Sequence, residues 1–251
     1  MRSAGPPPLS DAERRQRAYY ASTATSYEAA HREEQEHNFA LQMMLGTIRH
    51  YRFESVLDVG SGTGRTLSFL RQEAPGLPVV GIEPSPDLRA VGYGKGLTPD
   101  DLRDGDARHL PFADGAFDLV CEFAVLHHIA TPAQVVAEML RVARRAVFIS
   151  DCNNFGQGSP LLRLLKQTLN ACRLWPVADW IKTGGRGYFE SEGDGVAYSY
   201  SVFNNWRQIR RRCQVVHLFN TADAGINPYR TAKHVALLGI KHPPGDATGN
   251  R

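Results

Sequence analysis

An apolar run ending in an acid passes directly into alternating glycines at Val56-Leu57-Asp58-Val59-Gly60-Ser61-Gly62-Thr63-Gly64-Arg65. Glycine tolerates positive φ and has no side chain, so a loop of this kind between a strand and a helix lets a ligand approach the backbone closely. A dinucleotide fingerprint requires Gly-x-Gly-x-x-Gly/Ala, whereas the sixth position counted from Gly60 is Arg65. Asp58, two residues before the first glycine, would repel a pyrophosphate and suits a ligand with a cationic group and a ribose. Farther along, His127 and His128 follow an apolar run, and an imidazole titrating near neutrality suits a general base. Such a histidine can equally be a structural hydrogen-bonding group. Glu122 and Asp151 end two apolar runs and could meet a substrate, cap a helix or pair with an arginine. Glu192 and Asp194, in a glycine-rich stretch, could bind hydroxyls or an amine, although acids in such stretches are more often solvated turns.

The elements that must position these groups follow from the pattern along the chain. With 42% hydrophobic and 22% charged residues in 251, the sequence is too apolar for disorder and long enough for one sizeable core. Residues 55–60, 78–83, 102–107, 117–123, 146–151, 214–220 and 235–241 read as strands. Helix candidates at 65–73, 86–92 and 132–143 alternate with the first five, the signature of parallel βαβ units. Only a loop with Gly225, Asn227 and Pro228 joins the last two strands, which makes the seventh antiparallel. The expected fold is therefore α/β, a doubly wound seven-stranded mostly parallel sheet with one antiparallel strand. N-terminal helices occupy 11–51, with Ser10 or Asp11 as the cap and Phe39, Leu41, Met44, Leu45 and Ile48 on the apolar face. Residues 152–200, after the fifth strand, begin with a helix over 160–174 and then turn glycine-rich and aromatic, as expected of a substrate lid. The domain spans 11–241 between disordered tails at 1–10 and 242–251.

Asp58-x-Gly60-x-Gly62-x-Gly64 resembles the first motif of class I S-adenosylmethionine-dependent methyltransferases of the small-molecule type, whose fold is Rossmann-like. The likeness extends over residues 55–150. Glu83 stands at the end of the second strand, where that family places the carboxylate that binds the ribose hydroxyls. Gly105-Asp106-Ala107 stands where it places an acid near the adenine amino group, and Phe117-Asp118-Leu119-Val120 opens the fourth strand. The resemblance implies S-adenosylmethionine as cofactor, held by Tyr20, Asp58, Gly60, Ser61, Gly62, Gly64, Glu83, Pro84, Asp106, Ala107 and Glu122. Tyr19, Tyr20 and Tyr27 fit a looser pattern in which an N-terminal helix closes over the cofactor.

The implied reaction is in-line methyl transfer to an oxygen or nitrogen of a small polar molecule, with His127, His128 and Asp151 as the catalytic candidates. No metal is expected: oxygen ligands at Glu122, Asp151 and Asn153 could hold a divalent ion, but catechol-type relatives carry adjacent Asp-Asn after strand five, where this chain has Cys152. The alternatives are a nucleic-acid methyltransferase and a non-catalytic protein of the same fold. The first would use the basic cluster Arg207, Arg210, Arg211 and Arg212, yet strand four ends Glu122-Phe123-Ala124-Val125 without the Asn/Asp-Pro-Pro-aromatic motif of exocyclic amino methylation. A nucleic-acid partner is thus disfavoured. No apolar run is long enough to span a membrane and none near Met1 serves as a signal peptide, so the expected location is cytoplasmic with no membrane partner. Cys121, Cys152, Cys172 and Cys213 lack zinc-like spacing and read as buried thiols.

Overall fold

The computed structural model describes residues 9–31, 35–191, 193–222 and 225–241, without the side chains of 27–31. Tyr27, Glu192 and the two expected tails, apart from Leu9 and Ser10, therefore lie outside the described side chains. Two helices open the fold, α1 (Asp11–His31) and α2 (Gln35–Tyr51). Ser10 caps the first: its hydroxyl accepts from the Glu13 N–H at 3.2 Å while the Glu13 carboxylate accepts from the Ser10 N–H at 2.7 Å, a reciprocal capping box. Helix α2 buries Leu41, Met44, Leu45 and Ile48 as the spacing predicts, each contributing roughly 1.5–3 kcal/mol. Phe39 is a correction, because it lies one position off that stripe and is exposed.

The alternation then runs β1 (Val56–Val59), α3 (Arg65–Glu73), β2 (Val79–Ile82), α4 (Pro86–Gly94), β3 (Leu102–Arg103), β4 (Phe117–Phe123), α5 (Pro132–Val142) and β5 (Ala143–Cys152). After it come α6 (Pro160–Ala171), α7 (Trp175–Lys182), the hairpin strands β6 (Phe189–Ser191) and β7 (Gly195–Ala197), α8 (Trp206–Arg210), β8 (Val215–Ala222), α9 (Pro228–Thr231) and β9 (His234–Ile240). The seven-stranded sheet has the order β3-β2-β1-β4-β5-β9-β8. Strand β9 is antiparallel to both β5 and β8, and every other pairing in this sheet is parallel, as the short last connection predicts.

Successive strand residues face opposite sides, so the sheet serves two cores. Leu57, Val59, Val120 and Val147 pack with Val136 and Met139 of α5, while Val56, Leu119, Cys121 and Phe148 pack with α2. The chain leaves β1 toward one edge of the sheet and β4 toward the other. Ligands of open α/β sheets bind at such a reversal, above the strands' carboxyl ends.

Two boundaries that differ from expectation have a visible cause. Strand β3 stops at Arg103, because Asp104 pairs with Arg89 at 2.7 Å and Asp106 turns the chain by accepting from the Arg108 N–H at 2.8 Å. Helix α6 ends at Ala171, because Arg173 adopts φ 61° before Pro176 starts α7. All four cysteines are free, and Cys172 at this break is exposed rather than buried. Arg207, Arg210, Arg211 and Arg212 face solvent beside the buried Ile209.

Candidate active site

The loop after β1 holds Gly60, Gly62 and Gly64 at φ 73°, 55° and 78°. The reasons for glycine differ. A Cβ on Gly60 would lie 2.5 Å from the Val125 side chain and one on Gly64 2.1 Å from Leu97 Cδ1, whereas one on Gly62 would meet nothing within 4 Å. Packing thus excludes side chains at the outer two positions, and the space above Gly62 is open. Ser61 turns its hydroxyl back onto the Asp58 carbonyl at 2.9 Å.

Glu83, at the end of β2, is buried and accepts from the Gly62 N–H at 3.0 Å and the Ser85 N–H at 2.8 Å. It therefore locks the glycine loop to the neighbouring strand. Burial pushes its carboxyl up to about 7 against the pull of those two N–H groups. Pro84 is exposed beside it, and Ser85 caps α4. Asp58 is buried, with Cys121 Sγ 3.6 Å from its Oδ1, and burial raises it to about 6. Asp106 is gripped by the Arg108 guanidinium at 2.7 to 3.1 Å, and Ala107 beside it is buried.

The ends of β4 and β5 bring the catalytic candidates together. Glu122 accepts from the Val125 N–H at 3.0 Å, and its other oxygen has no partner among the described residues. Burial, with Asp151 nearby, holds Glu122 well above the usual carboxylate range. The same Val125 abuts Gly60, so the one-turn helix Leu126–His128 that follows it starts against the glycine loop.

Asp151 is fully buried, with one oxygen 2.7 Å from His127 Nδ1 and the other accepting from the His127 N–H at 3.2 Å. His128 Nδ1 donates to the Val196 carbonyl at 2.6 Å. Both Nε2 atoms turn to one further carboxylate, Asp194, at 3.2 Å and 3.3 Å. Burial alone would lower His127, but the carboxylates of Asp151 and Asp194 outweigh it and push the imidazole up to about 10. Conversely, His127 holds Asp151 down to about 2 against its burial, and the two histidines hold Asp194 below the usual carboxylate range. His127, His128 and Asp194, or His127, Asp151 and Cys152, also converge closely enough to ligate a metal ion, with all donor atoms of each set within 4.8 Å of one another. Asn153 belongs to neither group: its amide donates to the carbonyls of Pro228, Tyr229 and Ala232 at 2.9 to 3.1 Å.

Helix α1 and the β6–β7 hairpin close this side. Gln16 accepts from the Val196 N–H and donates to the Asp194 carbonyl at 3.3 Å, Glu13 pairs with Arg108 at 2.8 Å, and the Tyr20 ring stands edge-on to His128 at 6.4 Å. The structure therefore gathers His127, His128 and Asp151, and adds Asp194 as their shared partner. Gln16 gave no sequence signal, being one polar residue in a mostly polar helix, whereas the glycine-rich context marked Asp194.

Residues 57–149 match the family described as "Methyltransferase domain". The chain is 34% identical over 119 residues to a phosphatidylethanolamine N-methyltransferase of Cereibacter sphaeroides, covering 45% of this chain and 57% of that protein. It is 44% identical over 92 residues to a demethylmenaquinone methyltransferase of Renibacterium salmoninarum, covering 36% and 37%. The chain thus spans only part of the curated relatives it matches. The fold is shared with a solved S-adenosylmethionine-dependent methyltransferase of Thermotoga maritima, with TM-score 0.56 and 16% identity over 90% of this chain and 99% of that one.

Proposed function

Residues 57–149 are a methyltransferase domain of the class I S-adenosylmethionine-dependent family, and from that premise we propose that the chain methylates an oxygen, or else a nitrogen, of a small polar acceptor. The open space above Gly62 and the buried Glu83 fit the cofactor. Gly60, Ser61, Gly62 and Gly64 would border it, Glu83 and Pro84 the ribose side, Asp106 and Ala107 the adenine side, with Tyr20, Asp58 and Glu122 around the rest. When bound, S-adenosylmethionine would supply a sulfonium-activated methyl group open to in-line attack by an acceptor lone pair, the C–S bond breaking as S-adenosylhomocysteine leaves.

This chain's residues position the acceptor and take its proton. Asp151 holds Nδ1 of His127 at 2.7 Å and so fixes the tautomer, directing Nε2 toward Asp194. An acceptor hydroxyl entering between Nε2 and Asp194 separates His127 from one of the two carboxylates that hold its proton. Its proton is then held less tightly, which makes the neutral, proton-accepting imidazole accessible near neutral pH with Asp151 still orienting it, and base catalysis of this kind contributes about 10²- to 10⁴-fold. The observation that carries the reading is the buried Asp151–His127 pair beside the segment that abuts Gly60.

The test is release of S-adenosylhomocysteine and transfer of labelled methyl from S-adenosylmethionine to a panel of polar hydroxyl and amine metabolites. The expected result is turnover with one acceptor class, with His127→Ala losing about 10²- to 10⁴-fold in kcat while binding the cofactor normally. Absence of both S-adenosylmethionine and S-adenosylhomocysteine binding in calorimetry would overturn it.

A further inference from the structure

Helix α6 is built the wrong way round for a water-exposed surface. Three of its polar side chains face the protein: Lys166 is buried and donates to the Asn154 carbonyl, Gln167 donates to the carbonyls of Phe155 and Arg230 at 3.0 Å and 3.1 Å, and Asn170 donates to the Tyr229 hydroxyl at 3.0 Å. Its leucines face out, with Leu161 77%, Leu164 61% and Leu165 54% exposed. Helix α7 buries none of its residues and continues the surface with Val177, Trp180 and Ile181. Of the twelve exposed large hydrophobic side chains among the described residues, nine lie between 161 and 189, so the exposure is one concentrated patch. Such a concentration marks an interaction site.

The charge around it selects the occupant. Residues 159–190 contain five Lys/Arg, of which all but the buried Lys166 reach the surface, and two Asp/Glu. Both acids are engaged: Asp179 accepts from Ser199, and Glu190 lies near Arg15 at 3.4 Å and Arg186 at 3.9 Å. A second copy meeting this face across a two-fold axis would bring the same basic rim against itself. An anionic lipid surface complements it, and leucines with Trp beside Lys/Arg are the composition of helices that lie in a bilayer interface. We propose that α6 and α7 dock on an anionic bilayer, with the leucines and Trp180 at the acyl boundary and Arg163, Arg173 and Lys182 toward the phosphates. No helix among the described residues is long and apolar enough to cross a membrane, so the contact is peripheral.

Flotation of the full chain with vesicles tests this. It is expected to float with phosphatidylcholine vesicles containing phosphatidylglycerol and not with phosphatidylcholine alone, less so at high salt. The double variant Leu164→Ser/Trp180→Ser, altered only at exposed positions and checked for an unchanged melting temperature, is expected to lose at least about tenfold in partitioning. Arg173→Glu/Lys182→Glu should lose a similar amount. No flotation, equal flotation of the double variant, or a dimer in solution that the same variant dissolves would each overturn the proposal. Calorimetry with S-adenosylhomocysteine, expected to be identical in all variants, separates this outcome from failure of the methyltransferase reading.

Discussion

Substituting alanine separately at Gly62 and Gly64 distinguishes a glycine kept for a ligand from one kept for packing. Both sit at positive φ, 55° and 78°, where an L-residue costs about 1–2 kcal/mol. At Gly62 the added methyl meets nothing within 4 Å, so backbone strain is the whole cost to the fold. For a chain of this size that corresponds to a fall in Tm of about 2–8 °C. At Gly64 the methyl would lie 2.1 Å from Leu97 Cδ1, adding roughly 1–3 kcal/mol of overpacking. The expected order of stability is therefore wild type, Gly62→Ala, Gly64→Ala. Cofactor affinity should follow a different order. The methyl on Gly62 projects into the space assigned to the ligand, and the same roughly 1–3 kcal/mol weakens binding about 5- to 150-fold, whereas Gly64→Ala leaves that space unchanged. Thermal melts and calorimetry with S-adenosylhomocysteine measure both. A Gly62→Ala protein that melts lower yet binds with wild-type affinity would refute the placement of the ligand above this loop.

Two further outcomes follow from the buried charges. Glu83→Gln should weaken S-adenosylhomocysteine by about 1.5–3 kcal/mol, the worth of hydrogen bonds to a charged acceptor. Because burial raises Glu83 to about 7, the folded protein holds this proton more tightly than the unfolded chain, so its contribution to stability falls as pH rises from 4.5 through about 7. The variant should lack that part of the slope in melts, and identical slopes would show that Glu83 is not the group responsible. His127 follows the same sign over a more alkaline window. Asp151 and Asp194 raise it to about 10, so its stabilisation is complete below pH 6.5 and disappears as pH rises to about 10. The difference in Tm between wild type and His127→Gln should shrink across that window, and a constant difference would exclude the ion pairs.

The parts of the fold legible in the sequence are those where local pattern and tertiary burial agree. Strand β4 over Phe117–Phe123 and helix α3 over Arg65–Glu73 were readable to the residue, because an apolar run and a 3.6-residue stripe each meet a core. Strand β3 was read too long since its later residues are held by side chains, Asp104 by Arg89 and Asp106 by Arg108, which periodicity does not register. The hairpin of β6 and β7 escaped because three-residue strands carry no period. In the site, His127, His128 and Asp151 could be named from residue type and position, and Glu83 from the family resemblance. That Asp194 faces both histidines could not, because it depends on a 67-residue separation closed by the hairpin and by Gln16 of α1. Helix α6 gave a helical stripe correctly, but only its contacts with Asn154 and Tyr229 show that the stripe points outward.

Helix α1 fastens to the two sides of the rim at once, to Arg108 through Glu13 and to Val196 through Gln16, with Tyr20 against His128 between them. A clasp shared in this way couples the traffic of two ligands. On the proposed placement of the two ligands, lifting it would expose the adenine side and the acceptor side in the same motion. Under the proposed function, turnover would then be paced by one opening step, and S-adenosylhomocysteine lingering under the closed helix would also delay the methylated product. Inhibition by either product should depend on the concentration of the other, a kinetic signature set by a helix that need not take part in the chemistry.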